Sequence, residues 1–376
     1  MTSSPVFSVG FNHDEKLIDI LERLNSQSVT GLRIGEVFSS IGNSPIPSAR
    51  VGSQIPRISE SAFVGQVRRL KSMNIAYNYL FNAASYEPPV CLVHIDRYIS
   101  FLLDAGIERV TVNTIWLIEH LKRRHPRFHV TMSITAGIDS KAKLCRARDA
   151  GADAAYLCPV KMNRDFEAIV NCTAVQGIAV KLYANVSCIS HCPVVTSHYG
   201  LFRAQGSHVD HDSIAATNAE YFSACTQIKL LKPVEWIQMP WIRPEDIRVY
   251  AELGVSTFKL SDRLATTSTL RKITESYMTC KSPNNLADII ERDYKKYEMF
   301  DIGHERRELI HVDSRSINCD FIQHFKNGSC KSRDTNCRIC LHVANNSVRY
   351  SEEVIKTASL SNASTRFRAM QDRLME

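Results

Sequence analysis

Two cysteines four residues apart form the motif whose spacing points most directly to chemistry. Cys188 and Cys192 lie in the stretch NVSCISHCPVVTSHYG, and Pro193 follows the second cysteine. On a helical turn this separation places both sulfurs on one face, close enough to bind a single metal centre. Cys225 supplies a third thiol ahead of a later predicted strand. The motif is compatible with an iron–sulfur cluster, a zinc site or packed thiols.

A second group of cysteines lies near the C-terminus, in CDFIQHFKNGSCKSRDTNCRIC. Its members are Cys319, Cys330, Cys337 and Cys340. The last two form a C-x2-C pair, a common metal knuckle in which two thiolates converge. Their spacing predicts a metal site but does not distinguish zinc from iron. The other cysteines are isolated in helix or strand patterns and are expected to pack in the core: Cys91, Cys145, Cys158, Cys172 and Cys280.

Composition narrows the class of protein. The 376 residues are 44% hydrophobic and 23% charged, with a net charge of +7, typical of a folded chain and compatible with an acidic or nucleic-acid partner. The N-terminus has no signal-peptide pattern, and no apolar run approaches the ~20 residues that span a bilayer. We therefore expect a cytoplasmic protein without a membrane partner. Reducing conditions there favour metal binding or catalysis over disulfides for its 12 cysteines.

Histidines cluster beside the first motif, at 191, 198, 208 and 211, and His198 is the one predicted to contact the site. There is no H-E-x-x-H motif, so a zinc protease of that type is not supported.

A recurring pattern predicts the scaffold. Three segments end a helix at a glycine and then enter a short apolar strand: FLLDAGIERVTVN, ARDAGADAAYLCP and VYAELGVSTFKLS. Gly106, Gly151 and Gly254 suit the left-handed position that closes a helix. Candidate strands cover 6–10, 31–37, 75–80, 108–113, 128–134, 153–158, 179–185, 235–240 and 256–260. Their alternation with helices predicts an α/β fold, a (β/α)8 TIM-like barrel, over the alternative of a doubly wound sheet, because no G-x-G-x-x-G follows the first strand.

Barrel enzymes keep their sites where the strands end, so residues just past the strands are candidates. This rim is predicted to gather Glu36, Asn82, Asn113, Thr135, Asn185, Cys188, Arg243, Lys259, Asp262 and Arg263. The barrel is expected over 1–281, and 282–376, where the alternation stops, is expected to form a helical, cysteine-rich extension.

Two blocks resemble a known family. YANVSCISHCPVVTSHYG and MPWIRPEDIRVYAELGVSTFKLSDR are similar to peptidase family U32, the collagenase-like proteins, and the likeness covers roughly 5–280. The resemblance implies a 4Fe–4S cluster and oxygen-independent hydroxylation of RNA or quinone precursors, with prephenate as oxygen donor. Cys188, Cys192 and Cys225 match the cluster ligands. The usual H-G-x-x-C-x-x-x-S-G-x-C segment is missing, which leaves the fourth ligand open, in the tail or in an N-terminal loop.

The leading hypothesis is an iron–sulfur barrel enzyme that hydroxylates an RNA, a peptide or a small aromatic substrate without oxygen. Arg243, Lys259 and Arg263 are the cations expected to bind an anionic substrate or donor. The alternative for Arg243 and the P-E-D segment after it is a helix N-terminus, and for the other two cations ion pairing. The rival function is a non-catalytic subunit with a structural zinc knuckle, paired with a second member of the same family. A true protease lacks an identifiable nucleophile and base.

Overall fold

The computed structural model describes residues 5–42, 44–49, 55–83, 92–201, 220–221, 224–260, 265–290, 310–328, 330 and 337–351. Within these ranges, eight parallel strands close into a barrel in sequence order, with β1 paired to both β2 and β8. The strands are β1 Val6–Gly10, β2 Arg33–Ser39, β3 Ala76–Phe81, β4 Arg109–Val112, β5 His129–Met132, β6 Ala154–Tyr156, β7 Ala179–Tyr183 and β8 Thr257–Leu260. The predicted (β/α)8 barrel is confirmed.

Helices follow the strands and cover the outside of the barrel. Those of its first seven units are α1 Glu15–Ser26, α2 Glu60–Ser72, α3 Leu92–Asp104, α4 Ile115–Arg124, α5 Lys141–Asp149, α6 Pro159–Met162, α7 Phe166–Thr173 and α8 Val195–Leu201. The remainder are α9 Val234–Gln238, α10 Ile247–Glu252, α11 Thr267–Met278, α12 Ala287–Ile290, α13 Asp320–Lys326 and α14 Arg338–Ser347. Residues 224–231 are also helical. No helix in the described ranges has the length and apolar character needed to cross a membrane.

Helix α1 illustrates how the sequence builds one unit. Asp14 caps it by accepting a hydrogen bond from the Lys16 amide, which satisfies one of the unpaired donors of the first turn. Its apolar face buries Leu17, Ile18 and Leu21. The periodic apolar residues let the helix pack on the barrel, and the cap fixes where the helix begins.

Three glycines close helices with backbone that other residues avoid. Gly106, Gly151 and Gly254 have φ angles of +93°, +101° and +92° and lead toward β4, β6 and β8. This confirms the predicted left-handed closures.

The predicted strand at 235–240 is wrong. Val234–Gln238 instead forms α9, with every residue of this short helix buried. A short apolar run is ambiguous between a buried strand and a buried helix.

The C-terminal segment packs against the barrel. Asn185, just past β7, donates to the Ile289 carbonyl at 3.0 Å. Strand β9, Ile310–Val312, pairs with β10, Val348–Tyr350, and the Tyr350 hydroxyl donates to the Lys229 carbonyl at 2.5 Å. The boundary between barrel and extension at 281 and 282 stays a prediction.

Candidate active site

The predicted cysteines meet where the strands end. Cys188 and Cys192 lie in the loop between β7 and α8, and Cys225 begins the helical stretch 224–231. All three are half-buried. Burial raises the pKa of the Cys192 thiol, and Cys225 is near enough to raise it further. The loop and the helix thus bring the first motif and the distant cysteine to one mouth of the barrel.

A fourth cysteine, Cys158, lies beside this loop at the end of β6. Cys158 and Cys192 each begin a Cys-Pro-Val turn. The amides of Val160 and Lys161 hydrogen-bond to the Cys158 sulfur, and those of Val194 and Val195 do the same at Cys192. Amides in this position stabilise a thiolate, although burial outweighs them and the pKa of both thiols is raised.

The two turns are joined by a backbone hydrogen bond. The His191 amide donates to the Val160 carbonyl at 3.4 Å, which ties the loop of Cys188 and Cys192 to the turn of Cys158. Burial raises the pKa of the Tyr199 hydroxyl well above its usual value, and the nearby Cys188, Cys158 and Cys192 add to that rise. The Tyr199 hydroxyl is therefore near three of the thiols and keeps its proton at neutral pH.

Two of the predicted catalytic residues lie at this mouth. His198, on α8, is half-buried, with its ring 5.5 Å from that of Tyr221. Lys259, on β8, is buried, and its ammonium group lies 3.9 Å from the ring centre of Phe38 and 5.2 Å from that of Tyr156. An ammonium ion over aromatic faces is attracted by the negative charge of the ring faces, which helps to hold Lys259 in place.

Of the other two catalytic candidates, Arg243 is engaged by other residues. Arg243 pairs with Asp246 through two bonds of 2.8 and 2.9 Å, and its third nitrogen donates to the Ile317 carbonyl. These contacts make Arg243 a link between the barrel and the extension, and they agree with the structural alternative for the P-E-D segment. Arg263, together with Asp262, His208, His211 and Cys91, lies outside the described residues.

Glu36 does not lie at the rim, because β2 continues to Ser39 and leaves this residue inside the barrel. It accepts a hydrogen bond of 2.6 Å from Ser8 and pairs with Arg109 at 3.4 Å and Lys181 at 3.5 Å. Burial alone would raise the pKa of Glu36, but Lys181, the Ser8 hydrogen bond and Arg109 lower it to about 2. The floor of the site is thus a charged, hydrogen-bonded network.

Four polar residues predicted at the rim, Asn82, Asn113, Thr135 and Asn185, form hydrogen bonds that hold loops together. Asn82 accepts from the Ala49 amide at 3.0 Å, and Thr135 donates to the Asn113 side chain at 2.8 Å. Together with the Asn185 contact described above, these bonds hold the segments that follow the strands in place.

The cysteines of the tail form a separate group. Cys330, Cys337 and Cys340 line one small cavity, whereas Cys319 is exposed and does not line it. Burial raises the pKa of Cys340 to about 12 against the opposing effect of Arg164. The predicted four-cysteine set is therefore divided by the fold into a group of three and a single surface thiol.

One histidine cluster was not foreseen. His120 and His125 lie 2.7 and 2.9 Å from the same Asp96 oxygen, on the outside of the barrel, with Arg124 3.7 Å from the other oxygen. Burial opposes ionisation of Asp96, but the hydrogen bonds from both histidines outweigh it and lower its pKa. The sequence around these histidines predicts only a solvated helix end, since Asp96 comes from a different helix.

Two other residues near these sites were not predicted, and the sequence contains a recognisable pattern for only one of them. Cys158 is followed by Pro-Val, as Cys192 is, and that repeated tripeptide could have identified it. Arg164 has no comparable signal, because its surroundings come from elements distant in sequence.

Comparison with known proteins gives remote relatives. No family model matches the chain. It is 24% identical over 288 residues to an uncharacterized protease, MJ1657, of Methanocaldococcus jannaschii, covering 76% of this chain and 80% of that protein. The structure of the U32 peptidase Mk0906 aligns with a TM-score of 0.49 and 16% identity, covering 70% of this chain and 94% of that one.

A mutant of FabK from Thermotoga maritima aligns with a TM-score of 0.33 and 10% identity, over 72% of this chain and 68% of that one. The barrel assignment rests on the strand pairing described above, and the sequence match with the archaeal protease extends over most of both chains. The resemblance predicted from the sequence is confirmed: the chain is similar to an archaeal protease over most of its length and to a U32 peptidase in structure.

Proposed function

We propose that this protein is an iron–sulfur enzyme that hydroxylates its substrate without oxygen, with the cluster held at the mouth of the barrel by Cys188, Cys192, Cys225 and Cys158. The observation that carries the proposal is the pair of Cys-Pro-Val turns, joined by a backbone hydrogen bond, whose amides approach the two sulfurs. Hydrogen bonds to the sulfurs and thiolate ligands from several loops are typical of iron–sulfur sites.

The donor set fits this cofactor. A 4Fe–4S cluster takes four thiolates, and Cys158 adds a fourth to the three that the family resemblance supplies. It is nearly fully buried, at 3% exposure, and the hydrogen bond between His191 and Val160 attaches its turn to the loop of the other two. A bound cluster supplies one-electron transfer.

Three side chains at the mouth of the barrel could bind the substrate and the oxygen donor. Lys259 presents a cation between two aromatic rings, which suits a carboxylate attached to a ring, the chemistry of prephenate. Tyr199 keeps its proton and can donate a hydrogen bond to an oxygen of the substrate or donor. His198 on α8 lies on the same side of the barrel.

The proposed reaction balances without oxygen. A carbon–hydrogen bond of the substrate and a carbon–oxygen bond of the donor break, the hydroxyl joins the substrate carbon, and the hydrogen passes to the donor. The substrate is oxidised by two electrons, and the donor, an organic hydroxy acid such as prephenate, is reduced by two. RNA, a peptide or a small aromatic acid remain candidates for the substrate, consistent with the net charge of +7.

Replacement of single cysteines tests the ligand set. Cys158→Ser and Cys188→Ser are expected to lose most of the iron found in the wild-type protein when all are purified without oxygen. Cys145→Ser is the matched control, because Cys145 is also half-buried but lies on α5, outside the mouth.

A second experiment tests the role of Lys259. Calorimetric titration with prephenate is expected to show that the wild type binds it and that Lys259→Met binds it about ten-fold or more weakly.

Wild-type iron in Cys188→Ser would contradict the ligand assignment, and wild-type iron in Cys158→Ser alone would remove only the fourth ligand. Equal prephenate binding by wild type and Lys259→Met would contradict the role given to Lys259. Iron-free protein that binds a second polypeptide would instead favour the non-catalytic subunit.

A further inference from the structure

The cysteine-lined cavity of the extension is built from both parts of the chain. Cys330 follows α13, Cys337 directly precedes α14, and Cys340 lies in the first turn of that helix. Opposite them the barrel contributes Pro159, Lys161, Arg164 and Ser190. The cavity measures about 30 Å³, more than the roughly 10–15 Å³ that one water-sized sphere requires, so a single ion fits in it.

Arg164 stands at this cavity as a cation without a carboxylate partner among the described residues. Its guanidinium carbon lies 4.6 Å from the ring centre of Trp241, 4.9 Å from Phe325 and 5.2 Å from Phe321. One nitrogen donates to the Ile237 carbonyl at 2.6 Å.

The other terminal nitrogen of Arg164, Nη2, is buried and has no hydrogen-bond partner in the part of the chain that the structure describes. The carboxylate of Asp246 also acts on Arg164, but Arg243 already engages it. A buried cation with an unused donor is costly unless negative charge lies next to it.

We propose that Cys330, Cys337 and Cys340 bind a zinc ion and that Arg164 balances its charge. Three thiolates around Zn²⁺ carry a net charge of −1, which one guanidinium neutralises, and the Arg164 nitrogen gains sulfur acceptors. Cys337 and Cys340 are already joined by a sulfur hydrogen bond, and Cys330 lies near enough to influence Cys340. Metal binding draws the three sulfurs together, with Zn–S bonds of about 2.3 Å.

This site is distinct from the iron–sulfur centre proposed at the mouth. It uses none of the cysteines assigned there, although Ser190 and residues 159–161, the turn that follows Cys158, line its cavity. Since the three thiols belong to the extension and Arg164 to the barrel, zinc fastens one to the other. Cys319 takes no part, because it is exposed and does not line the cavity.

Metal analysis of the full-length protein, expressed with added zinc, tests the proposal. About one zinc per chain is expected in the wild type and in the control Cys319→Ser, and less than a tenth of that in Cys337→Ser and Cys340→Ser. The iron content is expected to be the same in the wild type and in these three variants. A wrong zinc proposal can therefore be distinguished from a wrong proposal of an iron–sulfur cluster at the mouth of the barrel. Arg164→Gln is expected to weaken zinc binding about ten-fold or more in a competition titration with a chelator.

A second measurement covers variants that fold poorly. In the wild type and Cys319→Ser, cobalt is expected to give thiolate charge-transfer absorption, and chelation of zinc is expected to speed proteolysis of the extension. Wild-type protein without zinc, or equal zinc in Cys319→Ser and Cys337→Ser, would overturn the proposal. Loss of iron rather than zinc from Cys337→Ser would overturn the choice of metal.

Discussion

Individual cations in this barrel differ in the groups that surround them. Glu36 pairs with both Lys181 and Arg109, which makes these three residues part of the scaffold. Lys259 lies over two aromatic rings, and under the proposed function it is the cation that binds a reactant. The distinction matters because removing one member of a buried pair leaves its partner charged and unsolvated.

Glu36→Gln is expected to lower the unfolding free energy by about 3–5 kcal/mol at pH 7, because Lys181 would lose its carboxylate. The folded pKa of about 2 lies below the ordinary 4.5, so the Glu36 contribution is complete above pH 4.5 and is lost as the pH falls toward 2. That contribution is on the order of 3 kcal/mol. Urea unfolding at pH 7, 4 and 3 should show the gap between wild type and variant narrowing.

Glu108→Gln is the control for that series, since Glu108 forms an exposed pair with Arg127 and should change stability by less than about 1 kcal/mol. A gap between wild type and Glu36→Gln that stays constant from pH 7 to pH 3 would contradict the interpretation of Glu36.

At the scale of helices and strands, glycines with positive φ end helices and let the chain enter the next strand. Gly151 has a φ of +101°, and a Cβ there would lie 3.0 Å from the Lys122 side chain. Gly151→Ala is therefore expected to destabilise the protein by about 1–2 kcal/mol in urea unfolding. Gly65→Ala, inside α2 with nothing within 4 Å of the added carbon, is expected to be neutral or stabilising by up to about 1 kcal/mol. Equal effects of both changes would refute this account of the closures.

The alternation of strands and helices could be predicted from the sequence, because each buried strand is short, apolar and preceded by a helix with a clear end. The wrong prediction of a strand at α9 shows where this reasoning ends, since Val234, Trp236 and Ile237 would be buried in either a strand or a helix.

Part of the candidate site could also be predicted, because the sequence pointed to the thiols at 188, 192 and 225. Cys158 was missed, although the Cys-Pro-Val tripeptide that it shares with Cys192 could have indicated it, and nothing local in the sequence gathers three aromatic rings around Arg164.

For the molecule as a whole, the extension is attached to the barrel by buried polar contacts. Arg243 is one such link, with two bonds to Asp246 and one to the Ile317 carbonyl. Arg243→Met leaves Asp246 buried without its partner and is expected to cost about 3–5 kcal/mol. Limited proteolysis should therefore cleave the extension of this variant faster than that of the wild type.

Arg271→Met, which removes an exposed pair with Glu275, is the matched control and should leave the cleavage rate unchanged. Equal cleavage of wild type and Arg243→Met would show that the extension is held by other contacts.

The central claim is that the thiols at the mouth of the barrel hold a redox cofactor. The most direct test is the content of iron and acid-labile sulfide in protein purified without oxygen, together with its visible spectrum before and after reduction. We predict about four irons and four sulfides per chain and an absorption that bleaches on reduction. Colourless protein that holds zinc but neither iron nor sulfide would contradict the account.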